Sequence, residues 1–448
     1  MKSKRLVALA LATFMMTAFA AVGTAGGADE AVELRVLHYF SLINAGALDE
    51  NEKVWDAFEE AHPNISIIRE DEFNEPFHVT TEAYAAAGTL PDVLFAWPSG
   101  RSTTLHTQNL LKDLGPLVER DGLAEFYLPL ILDPSAQVGG YLGMLSRGVT
   151  ATNAFFINHE VLDAVGLEPA KSYSELVEQV PVLAAAGYET ILMPCQDDWV
   201  MQSCLFSLVA GRFMGEGWDQ KILSGEASFT DPDFVAALEF IKQLYDDGVI
   251  NQSTLAIDYG AGPGLFATNT AAYYIDGDWR VGDFITDPTT GEALIDPARQ
   301  ENFSITVFPD IDLPGVKFNR SNTAVLATGF GINADLEDGS AKLEAAWELV
   351  KWLVGNEVLT YMLDTGGITS PSRVDIDYSS LTLEPLQVAI GNLGGEYDKA
   401  TVVIDGAFEG PVYTPLNDGL QAIGLGTQTP EQVAQNTQDA FEAWKATQ

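Results

Sequence analysis

Apolar and polar positions follow two rhythms along this chain, one with the period of a strand and one with the period of a helix. Val32–Phe40 carries a short apolar run that predicts a strand. After a polar loop, Val54, Trp55, Phe58 and Ala61 fall on one face of a helix spanning about residues 49–61, stopped by Pro63 and Asn64. Ile65–Ile68 reads as a second strand, Phe77–Ala87 as a helix ending near Gly88, and Asp92–Trp97 as a third strand entered through Pro91. The rhythm resumes with a strand at Ala154–Ile157 and a helix at His159–Val165. Ser172 followed by Glu175 predicts a capping box. Two longer stripes, Phe234, Ala237, Leu238, Ile241, Leu244 and Tyr245, then Leu343, Ala346, Trp347, Val350, Leu353 and Val354, mark amphipathic helices whose aromatics serve packing. Strands alternating with helices predict an α/β protein with largely parallel sheets. There is no short repeat and no long Pro- or Ser-rich linker.

The first residues bear on compartment. Lys2, Lys4 and Arg5 precede an apolar run from Leu6 to about Ala21, and Ala18-Phe19-Ala20 and Gly23-Thr24-Ala25 offer small-residue cleavage sites. This is the pattern of a secretory signal peptide over residues 1–25, too short for the roughly 20 residues of a membrane span. No cysteine lies near the cleavage region, so the expected product is a free periplasmic protein rather than a lipoprotein. The roughly 420 residues that remain exceed what one core organises, so two domains are expected. With 64 acidic and 23 basic residues the chain carries a net charge of −41, near −44 once the leader is gone. Such a surface repels nucleic acid and anionic lipid, and at long range disfavours anionic solutes. An oxidising compartment permits a disulfide between Cys195 and Cys204, and two buried free thiols are equally compatible with the sequence.

Catalytic and cofactor signatures are sparse. His38, His62, His78, His106 and His159 form no metal-ligand spacing, no nucleophile elbow or phosphate loop occurs, and Gly260–Gly264 follows no strand. No metal or cofactor is therefore expected. Acidic pairs such as Asp197-Asp198 and Asp310/Asp312 arise by chance among so many acids. More telling are aromatics at strand ends and in loops. Trp97 precedes Pro98-Ser99-Gly100, Tyr39-Phe40-Ser41 ends the first strand, Trp199 follows two aspartates, and Trp279 follows Gly277-Asp278. Ligands of open sheets bind beyond the carboxyl ends of strands. A sugar presents flat C–H faces with a rim of hydroxyls, so it needs aromatic plates flanked by carboxylates and amides; the alternative for each tryptophan is simple core packing.

Several segments, in order, resemble one family. Val54–Ile65 is similar to the first helix and second strand of the family 1 extracellular solute-binding proteins, the sugar-binding components of ABC importers. Pro91–Phe95 resembles their third strand, Phe156–Leu162 a strand end and following helix, and Lys171–Leu176 a helix start. Phe266–Trp279 resembles a stretch running from Phe through an Ala-rich strand to Gly-x-Trp, and Gly426–Glu431 the entry to the last helix. The chain departs from the family at Ser146-Arg147-Gly148, at Ile157 and at Asn269-Thr270.

The resemblance implies a two-lobe periplasmic binding protein fold (type II) with a cleft between lobes. The N-lobe would hold residues 26–148 and 316–366, and the C-lobe 149–315 and 367–448, with crossings near Gly148–Asn153, Leu313–Asn319 and Thr365–Thr369. It further implies a monomer, not an enzyme, that captures a mono- or oligosaccharide and hands it to an ABC permease. Trp97, Trp199 and Trp279 would stack on the sugar, and Asp198 and Asp278 would accept from its hydroxyls. Tyr39, Ser41, Ser99 and Arg147 would line the N-lobe wall and hinge. The competing readings are a periplasmic glycosidase with paired carboxylates, and a binder of metal or peptide.

Overall fold

The computed structural model describes residues 31–41 and 46–447. The expected leader and its cleavage sites lie outside them. Three sheets organise the chain. The first contains β1 (Val32–Tyr39), β2 (Ile65–Glu72), β3 (Val93–Ala96), β4 (Met144–Ser146) and β11 (Gly329–Ile332), in the order β2-β1-β3-β11-β4. The second contains β6 (Ala154–Asn158), β7 (Glu189–Leu192), β8 (Ala271–Asp276) and β9 (Phe303–Thr306), in the order β7-β8-β6-β9. Each anchors its own lobe. Leu34, Phe95, Trp347 and Val350 belong to the first core, whereas Phe155, Tyr273, Phe234 and Leu416 belong to the second.

A third, smaller sheet joins the lobes: β5 (Gly148–Ala151), β10 (Ser321–Leu326), β12 (Ser370–Pro371) and β13 (Lys399–Thr401), ordered β12-β5-β10-β13. β5 lies between β4 of the first lobe and β6 of the second, and β10 carries the chain back from β9 to β11. Beyond β12 the chain stays against the first core through Ile376 and Leu381 and joins the second lobe at Leu386. Several strands paired side by side allow bending while resisting twist, which suits a hinge.

Local sequence explains these elements. β3 and β8 are buried along their whole length. β3 runs as an unbroken apolar segment and β8 stays apolar or aromatic as far as Ile275, because each has covered faces on both sides. The helix Pro232–Asp246 buries Phe234, Ala237, Leu238, Phe240, Ile241 and Leu244, and Ala341–Leu353 buries Leu343, Ala346, Trp347, Val350 and Leu353, so both stripes are core. The expected helix over 49–61 spans Ala47–Ala61, with a π-helical stretch at Asn51–Asp56. At Tyr173–Ala186 the Ser172 side chain accepts from the Glu175 N–H. The Glu175 carboxylate, however, reaches back to the Lys171 N–H, one residue beyond the N-cap.

The expectation of largely parallel sheets needs correction. β1 pairs parallel to β2 and β3, and β7 to β8, but β11 runs antiparallel to β3 and β4, and β6 antiparallel to β8 and β9. The reason lies in the connections: β11 enters the first sheet from the hinge rather than through a right-handed crossover helix. Cys195 and Cys204 are buried free thiols. Among the described residues no helix is long and apolar enough to cross a membrane.

Candidate functional site

Between the lobes the chain encloses a cavity of about 430 Å³, within the range of small-molecule pockets. Tyr39, Trp97, Ser99, Arg147, Trp199, Asp278 and Trp279 line it together. Asp198 is not on the wall; it sits beside Trp199 as the residue before the short turn Trp199–Met201. Burial, with the nearby Glu75 charge, raises its carboxyl pKa. Ser41 follows the end of β1, half-buried and outside the lining.

The first lobe contributes an aromatic cluster. Tyr39 and Trp97 are the last residue of β1 and the residue after β3, adjacent strand ends, and their rings meet edge to face at 5.2 Å. His78 packs on Trp97 at 4.7 Å. Burial pushes the Tyr39 phenol up to about 12, and burial together with the Arg101 charge pushes the His78 imidazole down to about 3. Both are neutral at pH 7, so they offer hydrogen bonds without charge.

The second lobe contributes an aromatic corner. Trp279 donates Nε1–H to the Tyr259 hydroxyl at 2.7 Å, and Trp199 meets the Tyr259 ring at 4.8 Å. The two indoles lie 6.4 Å apart at 45°. Beneath them the Arg280 guanidinium sits 3.6 Å from the Tyr259 ring centre, and it is held by the wholly buried Asp276. Gly277 completes the corner. A Cβ there would fall 2.2 Å from the Trp279 ring, so only a glycine lets the indole fold back over the end of β8.

Asp278 has a structural engagement. Its carboxylate accepts from the Thr150 hydroxyl at 2.6 Å, the Ala151 N–H at 2.9 Å and the Thr369 hydroxyl at 2.8 Å. Burial raises its pKa against these bonds. It thus ties the end of β8 to the hinge, and these protein donors occupy the place expected for sugar hydroxyls.

The lobes touch at both rims of the cavity. Arg101 donates to Glu75 at 2.8 Å in its own lobe and to Asp405 at 3.1 Å in the other, and lies 5.1 Å from the Tyr413 ring. Burial opposes the Arg101 charge, but Asp405, Tyr413 and Glu75 outweigh it and hold the pKa above its ordinary value. Asn74, at a φ of 58°, donates across the gap to Asp197 at 2.8 Å. On the opposite rim the Gly46 N–H donates to Asp287 at 3.1 Å and the Asp49 N–H to Thr289 at 3.3 Å. The molecule is in a closed form.

Sequence reasoning missed Arg101, Asp405, Tyr259 and His78. Arg101 carried a signal, since it stands in the same loop as Trp97 in a chain poor in basic residues. The others become neighbours only through the fold.

A family model described as bacterial extracellular solute-binding protein matches residues 53–379. The chain belongs to that family. Membership accounts for the two lobes, the hinge sheet and the cleft. Solved structures share the fold at low identity. A chitin oligosaccharide binding protein aligns with a TM-score of 0.79 at 21% identity, over 92% of this chain and 98% of that one. The maltose-bound MalE3 of T. maritima aligns at 0.72 and 20%, over 92% and 100%. The bacterial solute receptor AcbH, with a substrate preference for β-D-galactopyranose, aligns at 0.75 and 13%, over 92% and 99%. No curated protein sequence matches the chain.

Proposed function

We propose that this family member captures a carbohydrate between its lobes and delivers it to an ABC-type permease, acting in the periplasm after loss of a leader peptide and without catalysing a reaction. The observation that carries the reading is the meeting of aromatic plates from both lobes, Trp97 on one side and Trp199 with Trp279 on the other, around a cavity rimmed by hydrogen-bonding side chains. The named ligands of its structural relatives, chitin oligosaccharide, maltose and β-D-galactopyranose, belong to the same chemical class. Neither acidic pair weighed for glycosidase chemistry, Asp197-Asp198 or Asp310/Asp312, lines the cavity.

The mechanism is closure stabilised by ligand. A sugar touching both lobes favours the closed form by its extra affinity for that form and by nothing else. Moving the balance from 1:99 to 99:1 takes about 5.5 kcal/mol. An indole buries on the order of 150–250 Å² when wholly covered, but Trp97, Trp199 and Trp279 are already half-buried within their lobes, so a sugar face covers only part of that area. Stacking on the indoles therefore supplies part of the requirement, and hydrogen bonds that reach both lobes only in the closed form supply the rest.

Titration calorimetry against panels of mono- and oligosaccharides, amino acids, peptides and divalent metals tests the reading. Micromolar or tighter binding is expected for a sugar alone. Tight binding of an amino acid, peptide or metal with no sugar response would overturn it, as would release of product from glycosides by the purified protein.

A further inference from the structure

Three arginines line the cavity, and two have their charges matched at hydrogen-bond distance. Arg101 is held by Glu75 and Asp405 at 2.8 and 3.1 Å, and Arg280 by Asp276 and Asp283, each at 2.8 Å. Arg147 is different. It donates to the Thr328 hydroxyl at 2.9 Å, leans one nitrogen on the Met362 sulfur at 3.8 Å, and lies 5.0 Å from the Phe95 ring centre. Its Nε is buried with no partner, and among the described residues no carboxylate forms an ion pair with it. A guanidinium has five N–H donors, so among the described residues most of this one's capacity is unspent. The acidic group whose charge acts on it is Glu50. Glu50 lies at the end of the first turn of the helix Ala47–Ala61, lines the same cavity, and with Arg147 also borders a second, small recess. No described residue donates to its carboxylate.

A cation with spare donors and an anion with spare acceptors therefore face one space without touching. The group that satisfies both is one that accepts from the first and donates to the second, which is what a hydroxyl does. A carboxylate placed there would meet Arg147 but stand against Glu50. It would also enter a cavity in which Glu50, Glu75, Asp278, Asp283 and Asp405 outnumber the three arginines. We propose that Glu50 is a selectivity residue: by balancing Arg147 it reserves this corner for a hydroxyl of an uncharged sugar and rejects the uronic-acid counterpart. The inference rests on the carbohydrate reading above and sharpens it to neutral saccharides.

The test is calorimetry with matched probes, glucose against glucuronate, galactose against galacturonate, and a neutral xylo-oligosaccharide against its glucuronic-acid-substituted form. The wild-type protein should prefer the neutral member of a bound pair by about tenfold or more, the order expected for a like charge a few ångströms away in a partly desolvated site. Glu50→Gln should shrink that preference by about tenfold, whereas Arg147→Met should weaken the neutral sugar as well. The ratio is taken within each variant, so partial unfolding does not distort it; Glu50→Ala serves as a second variant judged by the same ratio. A wild-type preference for the acid, or a ratio unchanged in both Glu50 variants, overturns the inference while leaving carbohydrate binding intact. Binding of neither member of any pair, with no response to the wider saccharide panel, overturns the carbohydrate reading itself, and this inference with it.

Discussion

Replacing Gly100 by alanine should hold the lobes apart. Gly100 lies between Ser99 and Arg101 but is not itself on the cavity wall. A Cβ built there falls 1.7 Å from the Asp405 carbonyl oxygen, 2.6 Å from its carbon and 2.7 Å from the Phe408 oxygen. All three are backbone atoms of the opposite lobe, anchored by Ile404 and Phe408 in its core, so they cannot swing aside as a side chain would. Restoring ordinary contact requires the rim to open by on the order of 1.5 Å. That takes the Arg101–Asp405 contact of 3.1 Å out of hydrogen-bond range. A hydrogen bond between charged groups contributes about 1.5–3 kcal/mol, so affinity should fall by roughly 10- to 150-fold. Gly100 has no left-handed φ, so alanine should not strain the first lobe on its own. Calorimetry would read the affinity, small-angle scattering the closure, and thermal melting the integrity of the lobes. Wild-type affinity and wild-type compaction in Gly100→Ala would refute the rim contact as part of closure, and a large drop in melting temperature would show that Gly100 is needed within its lobe.

Trp279→Ala should weaken sugar binding with little loss of stability, since the indole is only partly buried at the edge of the second core; a stability loss of about 3–5 kcal/mol in chemical denaturation would instead mark it as core. Gly277→Ala, whose Cβ meets the indole at 2.2 Å, should reproduce the binding defect by displacing that ring, with the shift read in tryptophan fluorescence. Arg299 holds the Glu160 carboxyl down at about 2, below its ordinary 4.5. The unfolded chain therefore takes up more protons in that interval, and the stability from this group is present above about pH 4.5 and lost as pH falls towards about 2. Urea unfolding of Glu160→Gln should show up to about 1 kcal/mol less stability at pH 7 and a shallower pH dependence between those limits; identical pH profiles would contradict this. Because the molecule is strongly acidic, closure brings like charges together, and raising salt screens them beyond a Debye length of about 10 Å at 0.1 M. Affinity for a neutral sugar should rise as salt is added, and a steady fall would show that attraction across the rims dominates.

Much of the scaffold was legible because it depends on periodicity. The stripes at Phe234–Leu244 and Leu343–Leu353, the helix at His159–Val165 and the strand end at Trp97 are local patterns, and local patterns survive without an alignment. Strand direction was not legible, since whether β11 runs with or against β3 depends on its entry from the hinge sheet and not on its own four residues. The site divides the same way. Tryptophans after strand ends were visible as aromatics in loops. Asp405 and Tyr259 were not, because their meaning comes from partners about 300 and 20 residues away, Arg101 and Trp279. Asp278 shows the converse: beside Trp279 it suggests a sugar acceptor, but its partners Thr150 and Thr369 lie on other segments that only the fold brings near.

The central claim is that a sugar draws the two lobes together around the Trp97, Trp199 and Trp279 cleft. Small-angle X-ray scattering of the full secreted protein, with and without a saturating concentration of a sugar whose binding calorimetry has established, tests it most directly. The account predicts a smaller radius of gyration in the bound form and a scattering curve that matches this closed structure. A radius unchanged by the bound sugar would contradict the clamp and mean that the cleft is preformed.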